Sequence, residues 1–248
     1  MTFLALDFEQ IAPSGGAVVV PLVVPGEPKP VAVVVDRPAL EGLSVPPRQA
    51  RPFEDGAVGS GLFRTFASTP LTDETIATWF ARYGRLGVPA VSGRLSNGRE
   101  TRGERVDAWH AAQEAFRWPL ALWDALREGQ LPASWTGLPA KNQRFFTLET
   151  GWRTLNAGVS IELDRHAVRV MLDQVAERSA ALRIGPATLL GALWLQFALA
   201  IDGNREYRSC TTCGRFYELD PAVARTNRLY CTDACRMKAY RDRKGRGN

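Results

Sequence analysis

The stretch "CTTCGRFYELDPAVARTNRLYCTDAC", from Cys210 to Cys235, contains every cysteine of the 248-residue chain. The thiols form two tight pairs, Cys-x2-Cys and Cys-x3-Cys, with 17 residues between them. Two thiolates at such short spacing can grip one metal ion from a turn, and a second pair completes a tetrahedron. The pattern therefore predicts a metal centre, most simply one zinc ion, with the ligands Cys210, Cys213, Cys231 and Cys235.

Three other uses of this cysteine set stay open. A redox Cys-x-x-Cys is typical of a βαβ setting, disulfides need an oxidising compartment, and iron–sulfur motifs have tighter runs of cysteine. Four thiolates fill the coordination sphere of zinc, and the two histidines of the chain, His110 and His166, lie far away in sequence. The predicted zinc site is therefore closed and structural rather than catalytic.

The cysteines are followed by a basic end, "RMKAYRDRKGRGN". Residues 205–248 carry 11 Lys and Arg against 5 Asp and Glu, whereas the remaining residues carry 20 against 21. Such a local excess indicates a polyanion partner, DNA more than RNA, although a solvated terminus is the alternative. We expect a helix from Asp233 whose Tyr240 packs on the finger, and the predicted nucleic-acid contacts are Arg228, Arg236, Lys238, Arg241, Arg243 and Lys244.

The residues around the cysteines resemble the C-terminal finger of bacterial CGNR-type zinc finger proteins. The shared features are a paired-cysteine knuckle, an aromatic residue after it, an arginine before an aromatic-Cys step, and a final basic helix. Here they correspond to Cys210 and Cys213, Phe216, Arg228, Tyr230-Cys231, and Cys235 with Lys238, Arg241 and Arg243. The eponymous Cys-Gly-Asn-Arg is absent, because Arg-Met-Lys follows the last cysteine. The resemblance implies a bacterial transcription regulator.

The sequence predicts an α+β fold in two parts. Residues 1–204 form a body with mixed N-terminal strands followed by helices, and residues 205–248 form a four-cysteine, zinc-ribbon-like finger. The first 50 residues are rich in valine, proline and glycine, a composition typical of short strands with edge character. Only residues 204–209 separate the body from the first cysteine, so we expect the finger to dock on the body.

Helix signals punctuate the body. Thr72 is the expected N-cap of one helix, without a full capping box because Thr75 occupies the position where Glu or Gln is usual. Pro119 is expected to kink or split a later helix. The apolar run Ala187–Ile201 predicts a buried core helix.

Three other segments of the body have less regular patterns. The polar, glycine-rich stretch of residues 91–107 predicts an exposed loop. The alternating "VSIELD", residues 159–164, predicts a strand. The following "HAVRVMLDQVAERSAAL", residues 166–182, predicts a helix.

Catalytic motifs are weak in this sequence. "RVDAWH", from Arg105 to His110, matches the Arg-x4-His pattern of HEPN ribonucleases, in which both residues flank a scissile RNA phosphate. Asp164 and His166 would share one face of a strand, but no nucleophile accompanies them. We expect a DNA-binding regulator that is not an enzyme, whose body binds a small-molecule effector or forms a homodimer. A scaffold with a purely structural finger and, less favoured, a HEPN-like ribonuclease are the alternatives.

The sequence also bears on location. The start "MTFLALDFEQ" has acidic residues and no basic leader before an apolar stretch, so we expect no secretory signal. The apolar run at residues 187–201 is too short to cross a bilayer and contains Gln196. We therefore expect a cytoplasmic protein without a membrane partner, in a compartment where thiols stay reduced.

Overall fold

The computed structural model describes residues 10–12, 15–37, 48–50, 61–132, 145–176, 179–219 and 227–245. These residues form six α-helices and four antiparallel sheets, and the cysteines cluster near the C-terminus. The α+β prediction is thereby confirmed. The leader prediction concerns residues 1–9 for the most part, which lie outside the described residues.

The largest sheet is built from the valine-rich segments and a later hairpin. Its strand order is β2-β3-β6-β5, with β2 at Ala17–Leu22, β3 at Val31–Asp36, β5 at Ala90–Arg94 and β6 at Glu100–Arg105. Pro21 lies in β2, an edge strand of this sheet, where its missing N–H breaks no ladder bond. A second small sheet pairs β1 (Gln10–Ala12) with β4 (Arg48–Ala50).

Five helices enclose one core of buried aromatic and aliphatic side chains: α1 (Leu62–Ser68), α2 (Asp73–Tyr83), α3 (Val106–Arg127), α4 (Leu148–Arg165) and α5 (Leu189–Asp202). Phe63 of α1 is completely buried near the centre, with its ring centroid 5.4 Å from that of Phe197 and 6.5 Å from that of Trp123. Aromatic rings at these separations add favourable contacts beyond area burial, so the core fixes the position of α1.

Two buried glutamines satisfy the backbone ends of the short helix α1. The amide oxygen of Gln196 accepts a hydrogen bond from the N–H of Phe63 at 3.0 Å. The amide nitrogen of Gln113 donates to the carbonyls of Phe66 and Thr69, at 2.6 and 2.7 Å. Unpaired helix ends are costly inside a core, so these contacts explain why a glutamine interrupts the apolar run of α5.

The finger docks on α1 as we expected. Residues 203–205 join α5 to β9 (Glu206–Ser209), which pairs antiparallel with β10 (Phe216–Leu219). Tyr207 of β9 meets the ring of Phe63 edge-on, at 5.1 Å between centroids. The N–H of Phe216 donates to the hydroxyl of Thr65 at 3.1 Å. The finger therefore shares a packed boundary with the body.

A buried cation strengthens that boundary. Arg64 of α1 makes a two-pronged ion pair with Asp124 of α3, at 3.0 and 2.5 Å. Its guanidinium carbon also lies 4.9 Å from the ring centroid of Trp123 and 5.4 Å from that of Tyr207. One arginine thus connects α1, α3 and the first strand of the finger through charge and cation–π contacts.

Two predicted elements in the middle of the chain are wrong. Residues 159–164 belong to helix α4, because Leu155 and Val159, four residues apart, bury one helical face. The predicted helix over residues 166–182 is instead a hairpin of β7 (Arg169–Ala176) and β8 (Ser179–Gly185). Ala167 has a φ of 49°, which ends the helical conformation just before β7.

Two further expectations need correction. The polar stretch of residues 91–107 forms most of the β5–β6 hairpin rather than an irregular loop. Helix α3 is not split at Pro119, whose ring is buried on the core side. Burial of the ring offsets part of the hydrogen bond that proline removes.

The start of α2 shows a capping arrangement that the sequence analysis excluded. The N–H of Thr75 donates to the hydroxyl of Thr72 at 3.2 Å, and the N–H of Thr72 donates to the hydroxyl of Thr75 at 2.7 Å. The threonine hydroxyl accepts in place of the usual Glu carboxylate, so the box is complete. Thr147 and Thr150 repeat it at the start of α4.

Among the helices that the structure describes, none combines the length and the apolar character that crossing a membrane requires.

Candidate metal centre and basic helix

The first cysteine pair lies on a tight turn between β9 and β10. The N–H of Gly214 donates to the carbonyl of Cys210 at 2.8 Å, and the N–H of Cys210 donates to the carbonyl of Arg215 at 2.9 Å. Gly214 has a φ of 71°, in the left-handed region that glycine adopts readily. The turn folds Cys213 back beside Cys210, so both thiols can reach one ion.

The second pair lies at the start of helix α6 (Asp233–Gly245), with Cys231 before the helix and Cys235 in its first turn. The hydroxyl of Thr232 accepts a hydrogen bond from the N–H of Cys235 at 3.3 Å and so caps the start of the helix. The hydroxyl of Thr212 donates to the carbonyl of Cys235 at 3.1 Å. The knuckle and the helix are therefore tied together directly beside the thiols.

The four sulfur atoms are positioned to coordinate a metal ion. All lie within 4.8 Å of one another, and the Sγ atom of Cys231 is 3.6 Å from that of Cys213 and 3.6 Å from that of Cys235. Tetrahedral zinc with Zn–S bonds of about 2.3 Å separates its sulfur ligands by about 3.8 Å. A disulfide would require about 2.05 Å, and the four cysteines are free. The donor set and its spacing thus fit zinc.

The thiols of Cys210 and Cys231 have shifted pKa values, in opposite directions. Burial raises the pKa of Cys210, but hydrogen bonds from backbone N–H groups outweigh burial and lower this pKa to about 6. Burial raises the pKa of Cys231 far above its usual range, and the neighbouring sulfur atoms raise it further. Four thiolates this close repel one another, and a divalent cation between them removes the repulsion.

Arg228 holds the cysteine-bearing loops from inside the finger. Its guanidinium donates to the carbonyl of Tyr230 at 2.8 Å and to the carbonyl of Cys231. It also lies 5.1 Å from the ring centroid of Tyr217, whose hydroxyl donates to the carbonyl of Arg228 at 2.6 Å. Arg228 was predicted to contact nucleic acid, and no role was predicted for Tyr217. The Arg-x-aromatic-Cys step was the available signal, since it puts the arginine near a ligand loop.

The other predicted contacts all lie exposed on α6: Arg236, Lys238, Arg241, Arg243 and Lys244. Arg236 pairs with Asp233 at 3.1 Å, but both side chains remain largely in solvent, so the pair is weak. Tyr240 is 54% exposed rather than packed on the finger, because α6 leaves the small finger core after its first turn. An aromatic ring therefore stands among the cations.

A groove of about 320 Å³ runs between the knuckle and α6. Lys238 and Arg243 line it from the helix, and Thr211 and Tyr230 line it from the ligand loops. Asp242 also reaches the groove and reduces its positive charge. Tyr230 and the two threonines of the knuckle were not among the predicted contacts, because nothing in their spacing relates them to the helix.

The two residues of the ribonuclease motif, Arg105 and His110, lie at the start of α3. Arg105 donates to Glu27 at 2.7 Å and to Asp107 at 2.7 Å, and these hydrogen bonds raise its pKa. His110 lies exposed on α3. The guanidinium of Arg105 is therefore occupied by carboxylates rather than directed to a phosphate.

The other histidine has a carboxylate partner different from the predicted one. His166 ends helix α4, and its Nε2 atom lies 3.5 Å from Glu162, not near Asp164. Burial lowers its pKa, and Glu162 acts in the opposite direction. The helix replaces the strand that would have placed Asp164 and His166 on one face, so that predicted pair is absent from this site.

Comparison of the chain with protein-family models, with curated proteins and with solved structures finds no match.

Proposed function

We propose that this protein is a zinc-finger nucleic-acid-binding protein, with DNA as its partner and transcriptional regulation as its role. One observation carries the proposal: the helix that holds the ligand Cys235 in its first turn presents five exposed cations beyond it. The finger would hold one zinc ion on its four cysteine sulfurs, with a structural and not a catalytic role.

The first turn of α6 sets the direction in which its cations point. Cys235 in this turn faces the other thiols, and the cap at Thr232 and the bond from Thr212 fix the turn from two sides. With 13 residues the helix extends about 20 Å, enough to lie along a nucleic-acid groove. A metal ion in the site would therefore lock the orientation of the basic surface.

The exposed side chains of α6 form two adjoining strips. Arg236, Tyr240 and Arg243 share one face at positions i, i+4 and i+7, and Lys238 and Arg241 lie on the neighbouring face. The cations can pair with phosphates, and the exposed Tyr240 can stack on a base or contact a sugar. About five phosphate contacts from one short helix support weak binding with steep salt dependence, which pairing of two chains would strengthen.

The family and the compartment are part of the same proposal. The residues that resemble the CGNR-type finger support a bacterial transcription regulator. The use of four reduced thiolates as ligands supports a cytoplasmic location, since oxidising compartments favour disulfides.

We propose no catalytic role. Incubation of RNA with the wild type and with His110→Ala should give equal and negligible cleavage. Cleavage by the wild type alone would instead support the ribonuclease.

Fluorescence anisotropy with a labelled DNA duplex tests the proposal. For the zinc-loaded chain between about 50 and 200 mM salt, log K should fall with log salt at a slope of about −4 to −5. The triple variant Lys238→Gln/Arg241→Gln/Arg243→Gln should reduce the slope by about 0.9 per cation lost. A matched control removes the same charge from the body, at the exposed arginines Arg99, Arg102 and Arg153.

The outcomes separate the proposed binder from a scaffold. If both triple variants lost the same amount of DNA affinity, net charge alone would explain the loss, and a specific role for α6 would be contradicted. No binding by the zinc-loaded wild type at low salt would favour the scaffold with a purely structural finger. The contacts of Tyr207 and Phe216 with α1 are the observation that favours this scaffold alternative.

A further inference from the structure

A second cleft, of about 370 Å³, lies where the body meets the knuckle. One wall comes from helices α1 and α2, and the other from Cys213, Gly214 and Arg215 of the finger. Its volume is at the lower end of the range for small-molecule sites, and it lies at a boundary between two parts of a fold, where such sites are common. Among the described residues that line it, Cys213 is the one metal ligand, and no cation of α6 is present.

Thr78 and the edges of two mostly buried aromatic side chains, Trp79 and Tyr83, line the cleft from α2. Trp79 and Tyr83 lie with their ring centroids 4.9 Å apart and reach the cleft from one face of the helix. Thr78 donates its hydroxyl proton to the carbonyl of Glu74 at 2.8 Å, and so offers the cleft a methyl group and an acceptor. Thr69 likewise donates to the carbonyl of Thr65 at 2.7 Å. These walls suit a flat apolar group that carries a hydrogen-bond donor.

Two arginines give the cleft its charge. Arg82 is exposed on α2, with its guanidinium carbon 5.1 Å from the ring centroid of Tyr83. Arg215 lies opposite on the finger, and its side chain forms a hydrogen bond with the sulfur of Cys213. Among the described residues that line the cleft, none is a carboxylate. An anion would thus meet two cations, one of which also forms a hydrogen bond with the sulfur of Cys213.

We propose that this cleft binds a small aromatic carboxylate, with its carboxylate between Arg82 and Arg215 and its ring against Trp79 and Tyr83. Because Arg82 belongs to the body and Arg215 to the finger, one ligand would contact both parts. Binding to the docked arrangement alone would stabilise that arrangement by mass action. The cleft is therefore the site through which a small molecule could act on the finger.

Isothermal titration calorimetry on the zinc-loaded full chain tests the site. Indole-3-acetate is the probe, and its neutral isostere indole-3-acetamide is the matched compound. We expect saturable binding of the acid and at least about tenfold weaker binding of the amide, because the amide loses a charge-assisted pair of hydrogen bonds. Arg82→Gln should weaken binding of the acid by about tenfold, whereas Arg153→Gln, which removes an exposed charge on α4, should leave it unchanged.

A second variant separates loss of the site from loss of folding. Thr78→Trp places an indole in the cleft from an exposed helix position, so it should abolish binding while the melting temperature and zinc content stay at wild-type values. Equal binding of acid and amide, no saturable binding of the acid, or wild-type affinity in Arg82→Gln would each overturn the proposal. DNA binding is measured separately through α6, so failure here leaves the proposed function intact.

Discussion

Arg228 shows how the same side chain can be interpreted as a surface contact or as a structural support. In sequence it is one cation among many near a basic end, and the sequence analysis grouped it with the DNA contacts. In the structure its fork-shaped guanidinium holds two backbone carbonyls on the ligand loop and stacks on Tyr217. Only arginine offers planar stacking and several fixed donors at once, so charge alone does not explain the residue.

Replacing Arg228 by lysine should therefore keep the charge and damage the finger. The ammonium group cannot satisfy both carbonyls while covering the ring, so we expect Arg228→Lys to destabilise the finger by about 1–3 kcal/mol and to weaken zinc retention in a chelator competition. Arg241→Lys is the control, because Arg241 is exposed on α6. Equal zinc retention in the two variants would return Arg228 to the set of surface cations.

A buried carboxylate in the body allows a sharper residue-level test. Glu104 of β6 accepts hydrogen bonds from the N–H groups of Leu86 and Gly87 and from the indole of Trp109, at 3.0, 2.7 and 3.1 Å. Glu104→Gln converts one acceptor oxygen into a donor and leaves a buried N–H facing it. We expect a loss of about 2 kcal/mol in urea unfolding, whereas Glu100→Gln on the same strand should change stability little. Equal stabilities would show that these contacts contribute nothing.

Among the secondary-structure elements, sequence patterns predicted helices correctly where the residue types were unambiguous. The core helix α5 was predicted from its apolar run, and the start of α2 from a capping threonine, Thr72, together with apolar residues at helical spacing. The predicted strand at residues 159–164 was wrong because a short alternating run also fits a helix whose buried apolar side chains are Leu155 and Val159. The left-handed Ala167, which ends α4, gives no signal in sequence, since alanine rarely adopts that conformation.

The contact between α1 and β10 leads to a prediction about one glycine. A Cβ atom built on Gly61, just before α1, would lie 2.6 Å from the carbonyl oxygen of Phe216. Because that neighbour is backbone, Gly61→Ala should push β10 away and lower the melting temperature. Gly158→Ala in α4 is the control, since its Cβ would meet nothing within 4 Å and alanine favours helix by about 0.5–1 kcal/mol. A thermal scan showing Gly61→Ala at or above the wild type would disprove tight docking.

For the whole molecule, the metal is the expected source of stability of the finger. Among the described residues of the finger, the buried core contains Tyr217, Leu219 and two of the cysteines, Cys210 and Cys231, which is too small to support a fold alone. We expect one zinc per chain by mass spectrometry, lost in Cys213→Ser, with the finger unfolded and the body folded by hydrogen exchange. Ser209→Ala, adjacent to Cys210, should keep its zinc. A fully protected finger without metal would contradict the site.

The candidate site was partly accessible from the sequence. The cysteine spacing gave all four sulfur positions, because a local ligand motif needs no knowledge of the rest of the fold. The supports did not follow from sequence: Tyr217, Thr212 and Thr65 act through contacts between distant segments. The cleft at Arg82 and Arg215 could not be predicted from the sequence either, since its two walls are more than a hundred residues apart in the chain.

The short connection between α5 and β9 has a geometric consequence. Three residues, 203–205, leave no slack for the finger to swivel, and Arg64 and Tyr207 pin its first strand to the body. If two such chains paired through their bodies, as proposed, their two basic helices would lie at a fixed distance from each other. Such a pair would select a DNA duplex by the number of base pairs between two recognition sites as much as by the base sequence of each site.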